Sequence, residues 1–88
     1  MSGNETVSEW IVYLLRCSDS TYYCGITNNL DARVNAHNSG RGAKYTRGRR
    51  PVELVWAITA ESKSDALSLE ARIKTMSRRE KDEMVRGD

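Results

Sequence analysis

The segment Trp10 to Leu15 is an almost unbroken apolar run rich in β-forming residues. It lacks the alternation of apolar and polar residues that marks a strand with one face in water, so it reads as a strand covered on both faces. With 88 residues, 39% of them hydrophobic, the chain can bury only one modest core. Residues 10–86 are therefore assigned to a single domain, and the polar stretch 1–9 to a flexible tail.

Ser18-Asp19-Ser20-Thr21 breaks the apolar run, and a second β-prone run, Tyr22 to Thr27, follows closely enough to predict a hairpin. Its turn is expected to use Asp and Ser side chains that bond their own backbone. From Asn28 the periodicity turns helical. Asn28 is the expected cap, Asp31 falls in the first turn, Leu30 and Val34 lie four apart, and Gly40 stands where a C-terminal glycine would. Ser39 to Arg50 holds three glycines and five cations without apolar periodicity, which predicts a surface loop, ordered or mobile, ending at Pro51. Val52 to Ala60 reads as a third strand. Ser62 with Asp65 opens a helix whose apolar residues, Ala66, Leu69, Ile73 and Met76, recur at helical spacing. Ser77 with Glu80 repeats that signal for a last short helix to about Val85. The order β-β-α-β-α-α belongs to the α+β class.

Met1 to Glu9 is polar and carries no basic start followed by an apolar core, and no run approaches the roughly 20 apolar residues of a membrane span. A cytoplasmic protein is the expectation. Cys17 and Cys24 lack CxxC spacing and a second pair, so they are expected to be small buried hydrophobes and not metal ligands. The formal net charge of +2 is too small to argue for nucleic acid, but the five cations between Arg41 and Arg50 face no acidic residue in that stretch.

Arg33 and His37 lie four apart on the first predicted helix, beside the Leu30 and Val34 stripe, so they lean toward the edge of the core. A guanidinium there can grip a phosphate in bidentate fashion and an imidazole can take a proton; equally, Arg33 can snorkel and His37 can be a satisfied half-buried histidine. Glu70 falls at the margin of its helix's apolar stripe, where a carboxylate either binds a hard divalent cation or pairs with Arg72, Lys74 or a residue across the core. Tyr13 and Tyr23 sit in the two hairpin strands. If they share a face, two phenols stand beside Arg33 and His37, where nearby cations are expected to lower a phenol's pKa from its usual value of about 10. Sharing a face requires paired residue numbers that add to an even value, which a three-residue loop supplies and a two- or four-residue loop does not.

Val12-Tyr13-Leu14, Tyr23-Cys24-Gly25-Ile26-Thr27, Arg33, His37 and Glu70, in that order, resemble the signature of the GIY-YIG nuclease family. The linking segments Leu14 to Cys17, Gly42 to Val55 and Glu70 to Ser77 resemble its short, stand-alone bacterial branch. The first tripeptide lacks Gly-Ile before its tyrosine, Cys24 stands where isoleucine is usual, and no asparagine follows Glu70.

The resemblance implies a three-stranded antiparallel sheet flanked by helices, with Tyr13, Tyr23, Arg33, His37 and Glu70 converging on one face. It further implies an endonuclease that hydrolyses DNA with one Mg²⁺ or Mn²⁺ held by Glu70, Arg33 neutralising charge on the phosphate. Tyr13 would then deprotonate water with help from His37, and Tyr23 would orient water or phosphate. Arg41, Lys44, Arg47, Arg49 and Arg50, with Lys74, would contact the nucleic acid. With no specificity module in view, structure-selective or weakly selective cutting is expected, branches and single strands included. The rival reading is a DNA- or RNA-binding module that keeps the fold and the basic loop without useful catalysis. A third, a protein adaptor using Arg78-Arg79-Glu80-Lys81, rests on a charge run of the kind that usually forms a solvated face.

Overall fold

The computed structural model describes residues 9–87, so the tail expected over residues 1–9 lies outside them except for Glu9. Three strands form, β1 (Trp10–Arg16), β2 (Tyr22–Thr27) and β3 (Glu53–Ala60), with helices α1 (Leu30–Asn38), α2 (Lys44–Arg47), α3 (Lys63–Lys74) and α4 (Arg78–Arg86). The sheet is antiparallel throughout in the order β2-β1-β3, which makes the apolar run its central strand. Val12, Tyr13, Leu14 and Leu15 are each at most 1% exposed. Successive side chains of a strand leave on opposite faces, so a central strand with both faces covered has no polar position to alternate with.

Each face carries its own core. On one, Val12, Leu14 and Cys24 pack against Ala66 and Ile73 of α3. On the other, Tyr13, Leu15, Cys17 and Val52 pack with Tyr23 and with Leu30 and Val34 of α1. Both cysteines are free and buried, as small hydrophobes are. No helix among the described residues is long and apolar enough to cross a membrane.

Helix ends follow side-chain chemistry, with one shift from expectation. The cap of α1 is Asn29, not Asn28: the Thr27 hydroxyl accepts the Asn29 N–H at 3.1 Å, and from an extended backbone the Asn29 Oδ1 accepts the Ala32 N–H at 3.2 Å. At its other end Gly40 (φ +84°) closes a Schellman motif, its N–H bonding the His37 carbonyl and that of Arg41 the Ala36 carbonyl. Ser62 caps α3 through the Asp65 N–H, and Ser77 with Glu80 forms a complete capping box on α4. The stretch expected to be a plain loop contains α2, four residues long and too short for periodicity to reveal. The far end of that stretch is fixed by Asn38, whose amide donates to the Val52 carbonyl at 3.1 Å and accepts the Val52 N–H at 2.7 Å.

Candidate active site

The hairpin register decides whether the two tyrosines meet. Five residues, 17–21, separate β1 from β2, and the pairs Tyr13↔Gly25 and Leu15↔Tyr23 place Tyr13 and Tyr23 on one face. The turn is carried by Asp19, whose Oδ1 accepts the Thr21 N–H at 3.1 Å and the Thr21 hydroxyl at 2.6 Å. Ser20 instead takes a left-handed conformation, φ 70°.

His37, on the inner side of α1, completes a triangle of rings. Centroids lie 6.4 Å apart for Tyr13 and Tyr23, 5.9 Å for Tyr13 and His37, and 5.1 Å for Tyr23 and His37. Tyr13 Oη and His37 Nε2 are hydrogen-bonded at 2.9 Å, with Tyr13 1% and His37 0% exposed. Two glycines make room for this pair. A Cβ at Gly25 would stand 2.5 Å from Tyr13 Oη and 2.7 Å from Cζ, and one at Gly42 would run into the His37 ring. The phenol therefore lies across the neighbouring strand at a residue without a side chain.

Arg33, one turn before His37, supplies the local charge and reaches both phenols. Burial nevertheless raises the Tyr13 pKa above its ordinary 10.0, outweighing the opposing hydrogen bond and charge of Arg33, so the expected lowering does not occur at Tyr13. Burial, followed by the Arg33 charge, pushes the His37 pKa below 6.5, so the imidazole is neutral at pH 7. The pair is a neutral phenol bonded to a neutral imidazole beside a fixed cation.

Glu70 does not share that face. Its helix covers the opposite side of the sheet, where its charge, after burial, helps raise the Cys24 thiol to about 11. The two sides meet at the outer edge of β2, where Tyr22, Tyr23, Cys24, Tyr45, Lys74 and Lys81 line an open groove of about 210 Å³. Glu70 of α3 is not among these lining residues but pairs with one of them, Lys74, at 3.3 Å, its own side chain 17% exposed. Among the described residues no group of three or more His, Cys, Asp or Glu side chains could hold a metal ion. One half-buried carboxylate still suits a hard cation whose other ligands are waters and a substrate phosphate, and Lys74, 56% exposed, is free to swing away from it.

The basic rim also divides. Arg49 is turned back on the protein: its guanidinium lies 4.0 Å over the Tyr45 ring, and its Nε donates to Asp19 at 2.9 Å. Tyr45 in turn stacks on Tyr23 at 5.9 Å, so this chain of contacts braces a site tyrosine from the hairpin turn. Arg50 donates from Nε to the Arg47 carbonyl at 2.8 Å. Arg41, Lys44 and Arg47 remain exposed and face solvent. Residues missed in the sequence are Tyr45, Thr46, Gly42 and Lys81. Thr46 is fully buried and bonds His37 Nδ1 at 2.9 Å, a contact between segments nine residues apart that no periodicity announces. Lys81 belongs to the charge run read as a solvated face, yet it lines the groove.

Comparison with known proteins agrees with the fold. Residues 9–83 match the family described as the GIY-YIG catalytic domain. The chain is 49% identical over 84 residues to a UPF0213 protein of Vibrio cholerae, covering 94% of this chain and 83% of that one. It is 51% identical over 74 residues to a UPF0213 protein of Natronomonas pharaonis, covering 84% and 87%. Among solved structures it resembles the solution NMR structure of a UPF0213 protein from Bacillus halodurans, with TM-score 0.57 and 44% identity over 88% of this chain and 82% of that one. It also resembles that of a protein from E. faecalis, with TM-score 0.63 and 34% identity over 92% and 86%.

Proposed function

We propose, from the premise that this chain belongs to the GIY-YIG family of nuclease-type catalytic domains, that it is a divalent-metal-dependent endonuclease hydrolysing DNA phosphodiester bonds. The observation that carries this reading is the buried Tyr13–His37 hydrogen bond at 2.9 Å, flanked by Tyr23 and Arg33, with Glu70 paired to Lys74 of the groove beside Tyr23. A phenol whose pKa lies above 10.0 is a poor anion but a competent relay: it accepts a proton from water if its own proton has somewhere to go, and neutral His37 stands at that oxygen. Arg33 sits where charge builds on a phosphate held against the two phenols, and its planar donors suit two phosphate oxygens. Tyr23, braced by Tyr45, orients water or phosphate through its hydroxyl. The exposed Arg41, Lys44 and Arg47 and the groove-lining Lys74 and Lys81 hold the backbone. Glu70 would hold Mg²⁺ or Mn²⁺, which when bound polarises the phosphoryl oxygen and stabilises the departing 3′ oxygen. Structure-selective or weakly selective cutting goes with this reading, because a groove lined by tyrosines and lysines meets sugar-phosphate backbone and not base edges.

Incubating the purified protein with branched and linear DNAs, with Mg²⁺, Mn²⁺ or chelator, tests the reading directly. Cleavage that needs the cation supports it; binding without cleavage under every condition leaves a nucleic-acid-binding module. Glu70→Ala should abolish cleavage while DNA affinity holds. Its partner Lys74 is mostly exposed, so metal-free stability should change by no more than about 1 kcal/mol. Any Mg²⁺-induced stabilisation of the parent should disappear in the variant. Cleavage by Glu70→Ala at the parental rate would remove Glu70 from the mechanism.

A further inference from the structure

We propose that Thr46 is a positioning residue that decides which nitrogen of His37 carries the proton, an inference whose catalytic meaning rests on the nuclease reading. Thr46 and His37 are both 0% exposed, so protein groups alone set their hydrogen bonds. Thr46 Oγ1 makes two short contacts, each of 2.9 Å, one with the Ala43 carbonyl oxygen and one with His37 Nδ1. A carbonyl oxygen brings no hydrogen, so the contact between the two oxygens is filled by the threonine hydroxyl itself. With that hydrogen committed, the second contact holds a hydrogen only if Nδ1 carries it.

One contact argues the other way. The Ala43 N–H points at Nδ1, which would suit an unprotonated nitrogen, but at 3.4 Å it is the longest of the three. Two contacts near the optimum outweigh one at the limit of hydrogen bonding. A neutral imidazole has one N–H, so Nδ1–H leaves Nε2 bare, and the 2.9 Å contact with Tyr13 is filled by the phenol donating. The hydrogens then run in one direction: Tyr13 O–H to His37 Nε2, His37 Nδ1–H to Thr46 Oγ1, Thr46 O–H to the Ala43 carbonyl.

This order suits the cleavage step. The attacking water gives a proton to Tyr13 Oη as the phenol's own proton moves to Nε2, leaving an imidazolium. The water oxygen forms its bond to phosphorus, and the bond to the 3′ oxygen breaks with its electron pair on that oxygen. The departed 3′ oxygen takes up a proton from solvent, and the buried imidazolium returns its own proton from Nε2 to Tyr13 Oη, which releases the one it took from the water. With the opposite tautomer Nε2 already holds a hydrogen and accepts nothing. Thr46 touches neither substrate nor water in this scheme; it acts through His37.

The chain has a single histidine, so ¹⁵N NMR of the imidazole in the whole, substrate-free protein reports this ring without ambiguity. At a pH where the ring is neutral, the expected spectrum has a protonated, pyrrole-type Nδ1 and a bare, pyridine-type Nε2; the reverse assignment overturns the proposal. Thr46→Val keeps the shape and removes the hydroxyl. It should move the population toward Nε2–H, where the Ala43 amide favours it, and slow cleavage about tenfold or more at unchanged DNA affinity. Thr46→Ser should restore both the parental spectrum and most of the rate. A Thr46→Val protein that keeps Nδ1–H and the parental rate would also overturn it. Should the valine variant fail to fold, the parental and serine spectra still decide. The spectrum needs no catalysis, so the two readings fail separately: Nδ1–H with no cleavage of any DNA removes the nuclease reading alone, and cleavage with Nε2–H removes this one alone.

Discussion

Replacing Gly25 with alanine tests the packing on which the site depends, because the structure reverses the sign such a change would otherwise have. In a strand, glycine to alanine ordinarily stabilises by about 0.5–1 kcal/mol, chiefly by restricting the unfolded chain. Here the new methyl would meet Tyr13 at 2.5 Å (Oη), 2.7 Å (Cζ) and 3.1 Å (Cε2). Non-bonded carbons sit comfortably at about 3.5–4.0 Å, so the ring must retreat by roughly 1 Å. It has nowhere to go, since Tyr13 is 1% exposed and its oxygen is tied to His37. Overpacking of this kind costs about 1–3 kcal/mol, and loosening the phenol–imidazole bond adds about 1 kcal/mol. Less the backbone gain, the net loss is roughly 1–3 kcal/mol, a fall in Tm of between about 5 and 20 °C for a domain of this size. Urea denaturation measures it. Gly48→Ala is the internal control: nothing lies within 4 Å of its Cβ and its φ is −90°, so it should stabilise by about 0.4–1 kcal/mol. In a Tyr13→Phe background, which lacks the nearest atom, Gly25→Ala should cost less. A Gly25→Ala protein as stable as the parent would refute the argument, whatever happened to cleavage.

Acidification should weaken the fold through His37. Its folded pKa lies below 6.5, so the unfolded chain takes up the proton first, and stability held above pH 6.5 is lost as pH falls toward the folded value. Urea curves at about pH 7.5 and about pH 5.5 should show this, with a shallower dependence in His37→Gln; a parent equally stable at both would count against it. Charge reversal at Arg41, Lys44 and Arg47 together should weaken binding to every DNA tested and lower its salt dependence by about two to three counterions. Arg49→Glu should chiefly lower stability slightly, by breaking its Asp19 pair and its stacking on Tyr45. Equal binding losses from both sets would show that Arg49 also faces the ligand.

Much of the fold was legible because its signals are local. The uninterrupted apolar run identified the central strand, and Ser62 and Ser77, each with an acidic residue three positions on, marked two helix starts that the structure reproduces. Hairpin register was not legible: it turned on whether the connection held an odd or even number of residues, and although the second strand was read with its true start at Tyr22, nothing in the sequence extends the first beyond Leu15 to Arg16. The single-residue error at Asn28 arose because either asparagine can cap, and the Thr27 hydroxyl selects between them only in three dimensions. The site shows the same division. Arg33 and His37 were placed together by helical spacing, but the pKa of Tyr13 depends on whether burial outweighs a neighbouring cation, which spacing does not report. Arg49 read as a free cation because its aromatic and carboxylate partners lie four and thirty residues away.

Asn38 and His37 are consecutive residues of the last turn of α1, and each fastens a different point of the basic stretch: Asn38 holds its end at Val52, and His37 holds its middle at Thr46. The segment that presents Arg41, Lys44 and Arg47 is thus riveted to the same turn of helix that supplies the imidazole. For protein engineering this closes an obvious route. Transplanting residues 39–52 from another protein to change what the molecule grips would remove Thr46 and Gly42 along with the cations, and would leave His37 with a different neighbour at Nδ1. Retargeting by exchange of exposed side chains, or by fusing a reader to one end of the chain, keeps those rivets in place.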